Sequence, residues 1–179
     1  MIRTGALATL AALLIASPTA AQPEAAAGEL AQRLLAAQNH ERSMVGAPPL
    51  QWDADLAAHA ASYGPTLAAL RALVHSPREG RPGERENLAM AWHGTMSPEQ
   101  LVGMWSDEKR LLQPGLFPDV SRTGAWEDVA HYTQMVWPTT THVGCAIYPA
   151  DWDYLICRYS PPGNIDGKPV FATASIAAR

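Results

Sequence analysis

The chain has 179 residues, 47% of them hydrophobic and 17% charged, which suits one folded domain and argues against wholesale disorder. The formal net charge of −4 argues against a nucleic-acid partner, because binding a phosphate backbone needs an electropositive surface. No repeat of fixed period is present, which sets aside collagen, coiled-coil and solenoid architectures.

Residues 1–21 read as a signal peptide: Arg3 supplies the positive start, Ala6 to Ala16 the apolar run, and Ser17 to Ala21 the small residues before a cut after Ala21. That run is shorter than the roughly 20 residues that span a bilayer, and no longer uncharged stretch follows, so no transmembrane segment is expected after cleavage. A secreted or periplasmic protein is the expectation. Residues 22–28 read as an alanine-rich, mobile leader, and residues 29–179 as the domain.

The spacing of Leu30, Leu34 and Leu35 predicts a first helix from about Glu29 to Ser43, ended by Gly46, Pro48 and Pro49. Asp53 is a good cap for a second helix bearing Leu56, Ala60 and Tyr63 on one face, with Gly64-Pro65 expected to interrupt it before a helical piece over residues 67–73. Residues 76–85 read as a loop. Ser97, Pro98 and Gln100 form a capping box that starts a third helix with the stripe Leu101, Met104, Trp105. Residues 113–123 form a long loop with two prolines, of the kind that is usually functional or mobile. A last helix over residues 128–136 stops at Trp137-Pro138. Strands over residues 143–148 and 153–159 flank a turn at 149–152, and one more strand is expected at 170–173.

A hairpin centred on Asp151 sets Cys145 opposite Cys157, so the two cysteines of an exported chain are expected to form a disulfide. Helices on both sides of the late strands argue for an α+β layered domain with a small antiparallel sheet.

No G-x-S-x-G, P-loop, H-E-x-x-H or C-x-x-C motif is present, and paired cysteines leave no thiol nucleophile. Chemistry therefore falls to histidines and carboxylates. Glu108 continues the stripe of helix three, where a buried carboxylate needs a partner; the alternative is that the stripe has ended and Glu108 faces water beside Lys109 and Arg110. His131 shares a helix face with Gln134 and Met135, which fits either a cleft residue or a hydrogen-bonded core histidine. His75 ends an apolar run, and Glu86-Asn87 opens another. His40, His59, His93 and His142 read as surface residues, and Arg33, Arg42, Arg71 and Arg78 as solvated faces.

At His131-Tyr132-Thr133-Gln134-Met135-Val136-Trp137 and at Cys157-Arg158-Tyr159-Ser160-Pro161-Pro162-Gly163-Asn164 the chain resembles the CAP (SCP-domain) family, which takes in cysteine-rich secretory proteins, antigen 5 and pathogenesis-related 1 proteins. Shorter resemblances lie in the same order at Leu50-Gln51-Trp52-Asp53, Val74-His75-Ser76, Glu86-Asn87-Leu88-Ala89 and Trp105-Ser106-Asp107-Glu108. The resemblance implies an α-β-α sandwich with a cleft lined by His75, Glu86, Glu108 and His131, with Asn87, Tyr132 and Gln134 beside them. It also implies Zn²⁺ or another divalent cation as an optional occupant, for which two imidazoles and two carboxylates are a suitable ligand set. Alternatively the four groups hold one another without a metal. Ala130 and Arg85 stand where the family usually has glycine, and Arg85 is expected to pair with a neighbouring acid and narrow the cleft mouth. The single-domain layout resembles bacterial members.

The function implied is a binding module for a small amphiphile, peptide or divalent cation, with Trp92, Trp105, Trp137 and Met135 as candidate nonpolar parts. The alternatives are a metal-assisted, peptidase-like hydrolase using the same cleft, with Glu86 or Glu108 as general base, and a structural or partner-binding protein.

Overall fold

The computed structural model describes residues 21–171, with side chains from residue 25 onward; all but the last residue of the expected signal peptide lies outside this range. Four helices, α1 (Ala21–Met44), α2 (Ala54–Leu70), α3 (Pro98–Ser106) and α4 (Ala130–Met135), enclose four strands, β1 (Gln51–Trp52), β2 (Arg85–Trp92), β3 (His142–Pro149) and β4 (Trp152–Ser160). The strand order is β1-β3-β4-β2. The β3–β4 hairpin is the expected one, whereas β2, which pairs antiparallel with β4 over its whole length, is a strand the sequence pattern does not predict; the sheet as a whole is mixed, because the two-residue β1 pairs parallel to β3. Among the described residues no helix is long and apolar enough to cross a membrane.

Side chains alternate across a strand, and β4 shows what this alternation does. Leu155, Cys157 and Tyr159 join the core beneath α1, α3 and α4, which contribute Leu34, Leu101, Trp105 and Met135. Tyr154 and Ile156 face the other way and pack with Ala60 and Leu67 of α2. One sheet thus separates two apolar cores, and the α-β-α sandwich follows.

Local chemistry explains most boundaries. Ser97 and Gln100 close the predicted capping box on α3, with Pro98 at its first position. Asp53 accepts from the N–H groups of Asp55 and Leu56 and caps α2. Against expectation, α2 runs unbroken through Pro65. Its buried stripe, Leu56, Ala60, Gly64 and Leu67, packs on the sheet over the whole length. Gly64 lies where a Cβ would strike the Tyr148 ring, so this residue is a close approach and not a break. α1 likewise extends back to Ala21, with residues 25–29 exposed. The last helix is shorter than predicted, a 3-10 turn (Trp126–Val129) leading into α4.

The tail forms no strand at 170–171, and the rest of that expected strand lies outside the described residues. Instead the tail lies against the 113–123 loop: Phe117 N–H donates to Lys168 O at 2.9 Å and Gly167 N–H donates to Phe117 O at 2.7 Å.

Arg42 corrects the reading of a solvated cation. It is fully buried and donates to Pro48 O at 2.6 Å and to Met135, Trp137 and Thr140 O at 2.9 Å, tying α1 to the end of α4. Burial lowers its pKa to about 10, against a smaller raising influence of Tyr159.

Candidate functional site

The site grows from the start of β2, an edge strand. Consecutive residues of a strand point to opposite faces, so Glu86 lies on the α2 face and Asn87 on the α4 face. On the α2 side, Glu86 Oε1 accepts from His75 Nδ1 at 2.7 Å and from the Ser76 N–H at 3.0 Å. Its Oε2 accepts from Ser76 Oγ at 2.9 Å and lies 2.9 Å from an Arg158 guanidinium nitrogen. Burial alone would raise this carboxyl, but the His75 hydrogen bond, the Arg158 charge and the two Ser76 donors outweigh it and hold it below the ordinary carboxylate value.

On the α4 side, Glu108 comes from the 3-10 segment after α3 (Asp107–Leu111). Its Oε2 accepts from the His131 and Tyr132 N–H groups, both at 3.0 Å, and its Oε1 from His131 Nδ1 at 2.6 Å. Val129, the residue before α4, supplies no side-chain cap, so Glu108 caps that helix from a distance. The His131 ring also stacks on Trp105, with centroids 6.0 Å apart. Asn87 Nδ2 donates to His131 O at 3.0 Å and fixes the same turn from the strand side.

The open choice for Glu108 thus resolves toward a paired, half-buried carboxylate. The four predicted residues do not form one cluster. They form two His–Glu pairs, and among the described residues no group of three or more His, Cys, Asp or Glu side chains is placed to hold a metal. With each carboxylate accepting at Nδ1, Nε2 is the ring atom each histidine has left to offer, and neither Nε2 has a hydrogen bond among the described residues.

His75 and His131 line the same cavity, about 770 Å³ in volume, together with Glu86, Asn87 and Gln134. Glu108 stands behind His131. Tyr132, expected in the cleft, does not line the cavity and joins the core with α1 and α3. Gln134 is held by Thr140 Oγ1 and by the Gly163 N–H, so only part of its amide is available to a ligand.

The candidate nonpolar residues are placed elsewhere. Trp105, Trp137 and Met135 are core residues, and Trp92 is an exposed ring stacked on Trp152 at 3.9 Å. The apolar wall comes from Phe117, Trp126 and Ile165. The 113–123 loop hinted at Phe117, but nothing in the local pattern marks Trp126 or Ile165. Arg85 also lines the cavity, without the expected ion pair: no carboxylate lies within 4 Å of it among the described residues.

Cys145 and Cys157 are register partners and are joined by a disulfide. A family model for the cysteine-rich secretory protein family, CAP, matches residues 35–159. The chain belongs to this family.

This CAP chain is 41% identical over 139 residues to pathogenesis-related protein 1A of Nicotiana tabacum, an alignment covering 76% of this chain and 78% of the relative. It is similar in fold to Na-ASP-1 (TM-score 0.68, 24% identity), covering 80% of this chain and 41% of the other, so it spans less than half of that protein. It is also similar to NaASP2, solved with Zn²⁺ (TM-score 0.64, 26% identity, 80% and 85% covered).

Proposed function

We propose that this CAP protein acts outside the cytoplasm as a binding module, and that its ligand is a small amphiphile or peptide seated in the cleft between His75 and His131. The observation that carries the reading is that two imidazoles from different elements, each tethered at Nδ1 by its own carboxylate, line one cavity of about 770 Å³. That volume fits a small ligand rather than a bare ion. The disulfide suits an oxidising compartment, and pairing leaves no free thiol as a nucleophile.

A divalent cation fits this donor set in part. Imidazole ligands of zinc usually carry a carboxylate or carbonyl on their other nitrogen, as His75 and His131 do. Those two residues would hold the ion, and water or the bound ligand would complete its coordination. When bound, such an ion would supply a Lewis-acidic anchor for a donor atom of the ligand.

Isothermal titration of the folded protein with Zn²⁺ tests the imidazole pair. Micromolar binding lost in both His75→Ala and His131→Ala supports it. Binding that survives either substitution refutes a shared site at these two rings.

A further inference from the structure

The wall of the cleft beside His75 carries three arginines: Arg78, Arg81 and Arg85. They set three positive charges side by side on one wall of a cavity whose lining also carries three carboxylates, Glu86, Glu127 and Asp166. Among the described residues none of the three has a carboxylate oxygen within 4 Å. The nearby acids are already engaged: Glu86 by His75, Ser76 and Arg158, and Glu84 by His59 at 2.7 Å and Arg158 at 3.2 Å. Glu127 and Asp166 also line the cavity, without an ion pair to these arginines.

Arg81 is the built part of this wall. It is only 7% exposed, and its guanidinium is held by backbone carbonyls alone, Ser76 O at 3.1 Å and Glu84 O at 3.4 Å. Carbonyl oxygens position a guanidinium but leave its charge uncompensated. Burial disfavours the charged forms of both Arg81 and Arg85, and neighbouring guanidinium groups disfavour them further: Arg158 and Arg78 at Arg81, and Arg78 and Arg81 at Arg85. Glu86 and Glu84 offset part of this at Arg81, and Asp166 part of it at Arg85. A bound anion would relieve the strain at both positions. Trp126 and Ile165, which are 38% and 42% exposed, present apolar surface in the same cavity.

We propose that Arg78, Arg81 and Arg85 form an anion subsite of the cleft, which takes the phosphate or carboxylate head of an amphiphile whose apolar part lies on Trp126 and Ile165. This rests on the binding-cleft reading and names its ligand class. It uses the arginines and not the imidazoles, so the two fail separately: Zn²⁺ titration reports on the histidines and anion titration on this wall.

The test is isothermal titration of the folded, disulfide-bonded protein with decyl phosphate, inorganic phosphate and decanol, repeated on Arg78→Ala and Arg85→Gln. Both positions lie nearer solvent than Arg81, and a thermal melt of each variant confirms folding. Decyl phosphate is expected to bind, to weaken about tenfold or more in each variant, and to weaken with added salt, while decanol binds at least about tenfold more weakly. Inorganic phosphate binding as tightly as decyl phosphate makes the ligand a free anion and overturns the amphiphile assignment. Absence of anion binding, or binding indifferent to both substitutions, overturns the subsite itself.

Discussion

Replacing Glu108 with alanine removes one acceptor shared by three donors: the His131 N–H, the Tyr132 N–H and His131 Nδ1. The first two are N–H groups in the first turn of α4, whose own N-cap residue supplies no side-chain cap. Losing a helix cap costs about 1 kcal/mol, and a hydrogen bond to a charged group is worth about 1.5–3 kcal/mol. Glu108→Ala should therefore destabilise the domain by about 2–4 kcal/mol, a fall in Tm of about 5–15 °C for a chain of this size. Glu108→Gln keeps one oxygen for the two backbone donors but sets an amide NH₂ against Nδ1. It should cost about 1 kcal/mol and favour the Nε2–H tautomer of His131, which removes the lone pair that Nε2 otherwise has to offer. Urea denaturation followed by tryptophan fluorescence reads both values. A Glu108→Ala protein within about 0.5 kcal/mol of the parent would refute the capping role and with it the tether on His131.

Three further outcomes follow from the same structure. The folded Glu86 carboxyl titrates below its ordinary value of 4.5, so it contributes stability above that pH which is lost as the pH falls through the lowered folded value. The stability gap between parent and Glu86→Gln should therefore be widest near neutrality and shrink below about pH 4.5 in melts across pH, and a gap constant down to pH 3 contradicts this. Arg42→Met leaves four carbonyls without their buried donor and should cost at least about 3 kcal/mol in urea denaturation, whereas a loss under about 1 kcal/mol means those bonds are not made. Gly144→Ala drives a Cβ into the α2 backbone at Asp53, Leu56 and Ala57, so its cost should reach the upper end of the roughly 1–3 kcal/mol typical of overpacking, and a Tm equal to the parent's contradicts that packing.

What was legible in the sequence is what local chemistry decides. The α3 capping box needs four adjacent residues, and the hairpin register needs a turn and two alternating strands, so the box and the Cys145–Cys157 pairing are both readable directly. α2 was misread because Gly64-Pro65 carries a strong local breaking signal that packing along the sheet overrides. Arg42 was misread because a buried guanidinium is justified only by carbonyls far along the chain, at Met135, Trp137 and Thr140. The His75, Glu86, Glu108 and His131 set was reached through family resemblance. Its division into two pairs was not, since that depends on which face of β2 each partner meets. Trp126, Ile165 and Arg81 reach the cleft through tertiary placement alone.

Both cleft imidazoles are tethered at Nδ1 and have Nε2 left to offer. Long-range ¹H–¹⁵N spectra of the histidines test it directly, recorded in the folded protein at about pH 8.5, above the ordinary imidazole value of about 6.5. Nδ1–H with a bare Nε2 is expected for His75 and His131, and a switch to Nε2–H for His131 in Glu108→Gln. An Nε2–H tautomer at either position in the parent protein would contradict it.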